Sequence, residues 1–204
     1  MALPFDVRRT PVTALILLAI AGMFLLETWS GGSNNPQVLY ALGANEPRAV
    51  LGQGEWWRLF TSMFLHIGFI HLLLNGWALY QLGSLFELAI GSVSMLTVYV
   101  LSGLAGSAAS VWWTHDLSAG ASGAIFGLLG ALIAFLLRRR ERLTPYARSL
   151  LGQLVFWAAI NVFFGFNTQG IDNAAHLGGC AVGFLLGLTL RGRQSEPQAL
   201  GAPA

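Results

Sequence analysis

Ser122 and His176 are the residues of this chain best suited to do chemistry together. One lies in Gly120-Ala121-Ser122-Gly123, the other in Ala175-His176-Leu177-Gly178-Gly179, and each opens an apolar stretch. A serine hydroxyl is a poor nucleophile until a base takes its proton, and imidazole, titrating near neutral pH, suits that task. Ser122 stands where a helix begins, so free backbone N–H groups and the positive end of the helix dipole are at hand to stabilise an oxyanion. Gly120 permits a tight turn before it, and Gly123 belongs to the same turn-and-helix start. His71 and Asn75 share one face of another apolar segment and supply further donors for the same charge. His66 would point about 140° away from His71 on a helix, which gives it a structural or loop-contacting role.

Each feature also has a plainer reading. Gly-x-Ser-Gly alone is close helix packing, and His176 or Asn75 alone is a hydrogen-bonding link between helices. Gly179, Gly183 and Gly187, spaced by four, form a packing face toward the helix that carries Gly123, Gly127 and Gly130. Nucleophile, base and donors in combination make the stronger reading, because ionisable groups at membrane depth are costly and mark functional sites by default.

The elements that must hold these side chains are membrane helices. The 204 residues are 55% hydrophobic and 10% charged, against about 25% charged in soluble domains. Apolar runs at Pro11–Leu26, His66–Phe86, Val93–Trp113, Ser122–Leu137, Leu150–Phe166 and Ala174–Leu190 predict six helices. The expected fold is an all-α polytopic membrane protein: one six-helix unit over 11–191, a cytoplasmic segment 1–10 before it and a disordered cytoplasmic tail 192–204 after it. The first run resembles a signal peptide as well as a helix, and the lack of a clear small-x-small cleavage site favours the uncleaved helix. All eleven basic residues are arginine, dispersed along the chain, which argues against a nucleic-acid partner. The single cysteine, Cys180, excludes an intramolecular disulfide, and no cysteine or histidine cluster has the spacing of a structural zinc site.

With the N-terminus inside, Arg8, Arg9, the loop from Arg138 to Arg148, Arg191 and Arg193 are cytoplasmic and only Arg48 and Arg58 are outside, as the positive-inside rule asks. The largest loop, about Glu27 to Leu65, then faces outward with Trp57 and Arg58 in an amphipathic Glu55-Trp56-Trp57-Arg58 cluster, read either as an interfacial anchor or as a specific substrate-access element. Counted up from Leu137, Phe86 and Leu190, the residues Ser122, His71 and His176 each come out about 21–23 Å above the cytoplasmic edge of a core about 30 Å thick. They are expected to share one level, recessed from the outer surface.

These residues resemble the rhomboid family of intramembrane serine proteases. The resemblance rests on Trp57-Arg58, on His66 through His71 to Asn75, on Gly120-x-Ser122-Gly123 with Phe126 and Gly127, and on Ala175-His176-x-x-Gly179-x-x-x-Gly183, in family order from about Pro11 to Arg191. It implies a six-helix core of minimal form, a Ser122–His176 dyad without an essential carboxylate, and an oxyanion site built from His71, Asn75 and the Ser122 backbone. Phe126 takes the aromatic position that packs on the catalytic histidine, and Asp172 becomes a loop or helix-start residue. The implied activity is cleavage of membrane-anchored proteins near the external face; separately, the absence of lysine and of organelle-targeting features fits a bacterial plasma membrane. The implied partners are transmembrane substrates and the lipid bilayer; no metal or organic cofactor is called for, and the oligomeric state stays open. A proteolytically inactive relative that binds transmembrane clients, and a small transporter using His71 and His176 as a proton path, are the rival readings. The serine and histidine are both present, and neither paired repeats nor broken helices at matching places are evident.

Overall fold

Proline and capping side chains mark where the helices begin. The computed structural model describes residues 7–114, 116–168 and 170–192; residues 1–6, Arg193 and the remainder of the expected tail lie outside them. Helix α1 (Pro11–Trp29) opens on proline. Three short helices follow: α2 (Pro36–Ala41), capped by Asn35, α3 (Pro47–Gln53), capped by Glu46, and α4 (Arg58–Thr61), which runs into a 3-10 turn over Ser62–Phe64. Then come α5 (Phe69–Ala89), α6 (Ser92–Trp113), α7 (Ser122–Leu137), α8 (Pro145–Asn167) and α9 (Asn173–Gly187). Helices α1, α6 and α8 are long and apolar enough to cross a bilayer, and α5 joins them if Arg58–Phe64 is counted with it across a 92° bend. Helices α7 and α9 are shorter and also apolar. All six expected apolar helices form, and the described residues make an all-α membrane bundle.

Helix α7 is the centre. Its sequence offers no polar face to solvent, and every residue from Gly123 to Leu136 is buried. Helices α5, α6, α8 and α9 surround it. Helix α8 is the opposite case: it buries only Ala147, Leu154 and Gly165, while Phe156, Trp157, Phe163 and Phe164 face outward. In lipid that exposure costs nothing, because hydrocarbon tails are as apolar as the side chains.

Helix α9 lies against α7 backbone to backbone. A Cβ added to Gly179, Gly183 or Gly187 would overlap the carbonyl oxygen of Gly123, Gly127 or Ala131 respectively. The constant offset between these pairs shows two helices running parallel in one register, as the four-residue spacing leads one to expect. Helix α6 closes the trio, since a Cβ on Gly106 would stand 2.7 Å from the Ala175 oxygen.

Several boundaries differ from expectation. Helix α8 starts at Pro145 rather than Leu150, because Thr144 caps it by accepting the Ala147 N–H at 3.2 Å; the polar Arg148 and Ser149 hide this turn from an apolar window. Helix α5 runs from Phe69 to Ala89 and α9 stops at Gly187. The helix ends from which depth was to be counted therefore shift, from Phe86 to Ala89 and from Leu190 to Gly187. His66 precedes α5, so the 140° divergence from His71 does not apply: the two rings meet edge-on with centroids 5.2 Å apart.

The segment read as a loop from Glu27 is also more ordered. Glu27 lies inside α1, fully buried, and its Oε1 accepts the His66 N–H at 2.9 Å. Glu87, likewise fully buried, accepts from the backbone N–H groups of Val12 and Thr13 and from the Thr13 hydroxyl, which caps the start of α1 from within α5. Arg58 does not reach for headgroups. It is 3% exposed, pairs with Glu55, donates to the Tyr40 and Ala44 carbonyls at 2.7 and 3.1 Å, and lies 4.1 Å from the Tyr40 ring centroid. Trp57, half exposed, sits close over Gly43. Arg58 is thus the internal latch of the α2–α4 segment. Arg58→Ala should cost about 3 kcal/mol by leaving a carboxylate and two carbonyls without their donor. Arg58→Lys should recover only part of that, because an ammonium lacks the planar fork. Thermal unfolding in detergent measures both.

Candidate active site

Gly120 is the hinge on which the site is built. Its φ of +145° is a conformation that side chains rarely adopt, and a Cβ there would lie 2.8 and 2.9 Å from His71 Cε1 and Nε2. The absence of a side chain lets the His71 ring rest on the backbone just before Ser122, with Asn75 Nδ2 beside it at 3.7 Å from the same point. The expected pair on one face of α5 does converge on the start of α7. Gly120 is held there by its own N–H, which donates to the Ser62 carbonyl at 2.9 Å.

Ser122 is the first residue of α7, and no side chain caps that helix. Its hydrogen-bond ladder starts with the Ile125 N–H donating to Ala121, so the N–H groups of the first turn around Ser122 and Gly123 have no helical acceptor. The Ser122 side chain beside them is half-buried, and in a low-dielectric setting free donors act strongly on developing negative charge.

His176 lies one turn into α9 and is 8% exposed. Its ring stacks on Phe126 with centroids 4.1 Å apart and planes 7° from parallel. Phe126 is one turn below Ser122 on α7, so the same face of α7 carries the hydroxyl above and the aromatic support for the imidazole below. The close α7–α9 contact at Gly179 and Gly183 lets the imidazole approach that face. No carboxylate orients the ring: His176 Nδ1 is buried without a hydrogen-bond partner among the described residues. Asp172 is occupied elsewhere, capping α9 through the Ala175 N–H at 2.9 Å and accepting the Ser118 hydroxyl at 2.7 Å. Asn75, 6% exposed, keeps an Nδ2 that is buried without a partner among the described residues, so its donor is free for an incoming acceptor.

Reasoning from sequence passed over Glu27, Asn45 and Ser118. Glu27 carried a signal, a carboxylate inside an apolar run, but its place near the run's end suggested a boundary. Asn45 and Ser118 are short polar residues in connecting segments, and nothing in their spacing announces that they pair.

A family model described as a rhomboid domain matches residues 53–193. The chain is 43% identical over 175 residues to Rhomboid protease GluP of Bacillus subtilis, covering 86% of this chain and 34% of that protein. It is 38% identical over 177 residues to RHOMBOID-like protein 1 of Arabidopsis thaliana, covering 81% and 44%. It is 38% identical over 158 residues to Rhomboid-like protease 5 of Toxoplasma gondii, covering 76% and 18%. The chain thus spans less than half the length of each of these relatives.

Proposed function

The chain belongs to the rhomboid family, and from that premise we propose that it is an intramembrane serine endopeptidase that cuts membrane-anchored proteins near the external membrane face. The observation that carries the reading is the convergence at the start of α7: the His71 ring and Asn75 amide against Gly120, and His176 stacked on Phe126 one turn below Ser122.

In this mechanism a transmembrane substrate approaches laterally and the end of its helix unwinds. His176 takes the Ser122 proton as Oγ attacks the exposed carbonyl carbon, and the negative charge moves to the carbonyl oxygen, where the Ser122 N–H, His71 and Asn75 can donate to it. Collapse of this intermediate breaks the C–N bond, with the proton passing from His176 to the leaving amine. Water then hydrolyses the acyl-enzyme by the same steps, which returns the hydroxyl to Ser122. The Phe126 stack does part of what a carboxylate does in a triad, fixing the plane of the imidazole. Substrates should carry glycine, proline or other helix-weakening residues near their external end, because intact helical hydrogen bonds shield the scissile carbonyl. The arginine distribution supports cytoplasmic flanks of the bundle and an outward-opening site.

Asn75→Ala should lower kcat by about 10²–10³-fold through loss of one oxyanion donor. KM should change little, since the donor acts on charge that develops after binding. Steady-state cleavage of a reconstituted transmembrane substrate separates the two constants. The proposal as a whole is tested by treating the detergent-purified protein with a fluorophosphonate and locating the adduct by mass spectrometry. An adduct on Ser122 supports the protease. A folded protein that neither reacts nor cuts a model substrate would instead be a client-binding relative.

A further inference from the structure

Ser118 and Asp172 stand at matched positions: each lies four residues before one member of the dyad, Ser118 before Ser122 and Asp172 before His176. The Ser118 hydroxyl donates to Asp172 Oδ2 at 2.7 Å, and Asp172 Oδ1 accepts the Ala175 N–H at 2.9 Å. Ser118 is itself fixed, since its backbone exchanges two hydrogen bonds with Asn45, both at 2.8 Å. Asn45 is 2% exposed and anchored in turn by its Nδ2 donating to the Ser107 carbonyl at 2.9 Å.

We infer that the Ser118–Asp172 hydrogen bond is a positioning device that sets the separation of Ser122 and His176. The inference rests on the dyad reading given above. Helices α7 and α9 touch backbone to backbone from Gly123 and Gly179 inward, which fixes their spacing on the inner side of the dyad. On the outer side the chain before Ser122 is not helical and turns at Gly120; the first turn of α9 packs on α6 through Ala175 and donates to the Val162 carbonyl from Asn173, but among the described residues its one hydrogen bond to the chain leading into Ser122 is Ser118–Asp172. The Ser118–Asp172 bond closes that side, so the dyad sits between two fastenings. Asn45 extends the outer fastening to the segment between α2 and α3, which gives that segment a mechanical hold on the reacting groups. A cap alone would explain the Ala175 contact, but not why the second carboxylate oxygen crosses to the segment that leads into Ser122.

Four variants test this, with fluorophosphonate labelling rate, kcat, KM and melting temperature measured on each folded protein. Ser118→Ala breaks the cross-link and leaves the α9 cap in place. Asp172→Ser keeps a good capping residue but is too short to reach Ser118. Each should slow labelling and kcat by about 10- to 100-fold, the scale of a misplacement near 1 Å, with KM unchanged and melting temperature lowered only by the few degrees that one lost hydrogen bond costs. The double variant should be no slower than the slower single variant, because both remove one bond. Asp172→Asn should restore most of the rate, since its amide can still cap through oxygen and can donate to the Ser118 hydroxyl. Wild-type labelling by Ser118→Ala, additive losses in the double variant, or losses that track a fall in melting temperature beyond those few degrees overturn the inference. If Ser118→Ala does not fold, Asp172→Ser decides by the same criteria. Failure of the dyad reading looks different: wild type itself is then unlabelled.

Discussion

Ser122→Ala is expected to remain folded and to lose turnover by about 10⁴–10⁶-fold, the scale of removing a serine nucleophile in proteases. The expectation of an intact fold comes from its surroundings. Ser122 is half-buried, its hydroxyl makes no hydrogen bond to the described residues, and alanine is the better helix former at an uncapped first position. His176→Ala should lose as much activity but is a less clean probe, because it also removes a buried ring stacked on Phe126 and leaves a cavity. The double variant should be no slower than either single one, since the two groups act as a unit. The readout is cleavage of a transmembrane substrate in proteoliposomes beside thermal unfolding of each variant. Near-wild-type cleavage by folded Ser122→Ala would remove the nucleophile assignment and return Gly120-Ala121-Ser122-Gly123 to a packing role.

What could be read from the chain in advance depended on whether a residue's partner lay within one helix or across the bundle. The glycine series on α9 was legible because a four-residue period defines a face, and α7 answered with Gly123 and Gly127 in the same period. The His71–Asn75 pair was legible for the same reason. His66 was not: its geometry depends on Gly68 ending the preceding turn, and an apolar window runs straight through that break. For Arg58 the sequence leaves two readings open, because arginine beside two tryptophans in an outer loop suits a headgroup anchor as well as a specific role. Its true surroundings, the Tyr40 and Ala44 carbonyls, come from residues more than a dozen positions away. Glu27 and Glu87 looked like helix boundaries, whereas each is a buried acceptor for backbone N–H groups of another segment. Burying a carboxylate is tolerable only with donors in place, and those donors are tertiary facts.

Gly183→Ala tests the inner fastening of the proposed dyad, and here the addition of one methyl group should be damaging. The new Cβ would overlap the Gly127 carbonyl oxygen and lie 2.5 and 2.6 Å from the Gly127 carbonyl carbon and Cα. Backbone atoms in the middle of a buried helix cannot swing aside as a side chain can, so α9 itself must shift. Overpacking of this kind costs about 1–3 kcal/mol, and Gly183→Val should exceed that. A shift of α9 near 1 Å carries His176 with it, so the Gly183→Ala protein that remains folded should lose about 100-fold in fluorophosphonate labelling as well as in cleavage. Helix propensity predicts the reverse sign, since alanine is favoured over glycine within a helix by about 1 kcal/mol. Gly76→Ala and Gly152→Ala supply the contrast: a Cβ at either meets nothing within 4 Å, so both should be neutral or stabilising. If Gly183→Ala behaves like these two, the contact between α7 and α9 is looser than its glycines imply, and His176 must be held in place by Phe126 and the Asp172 cap alone.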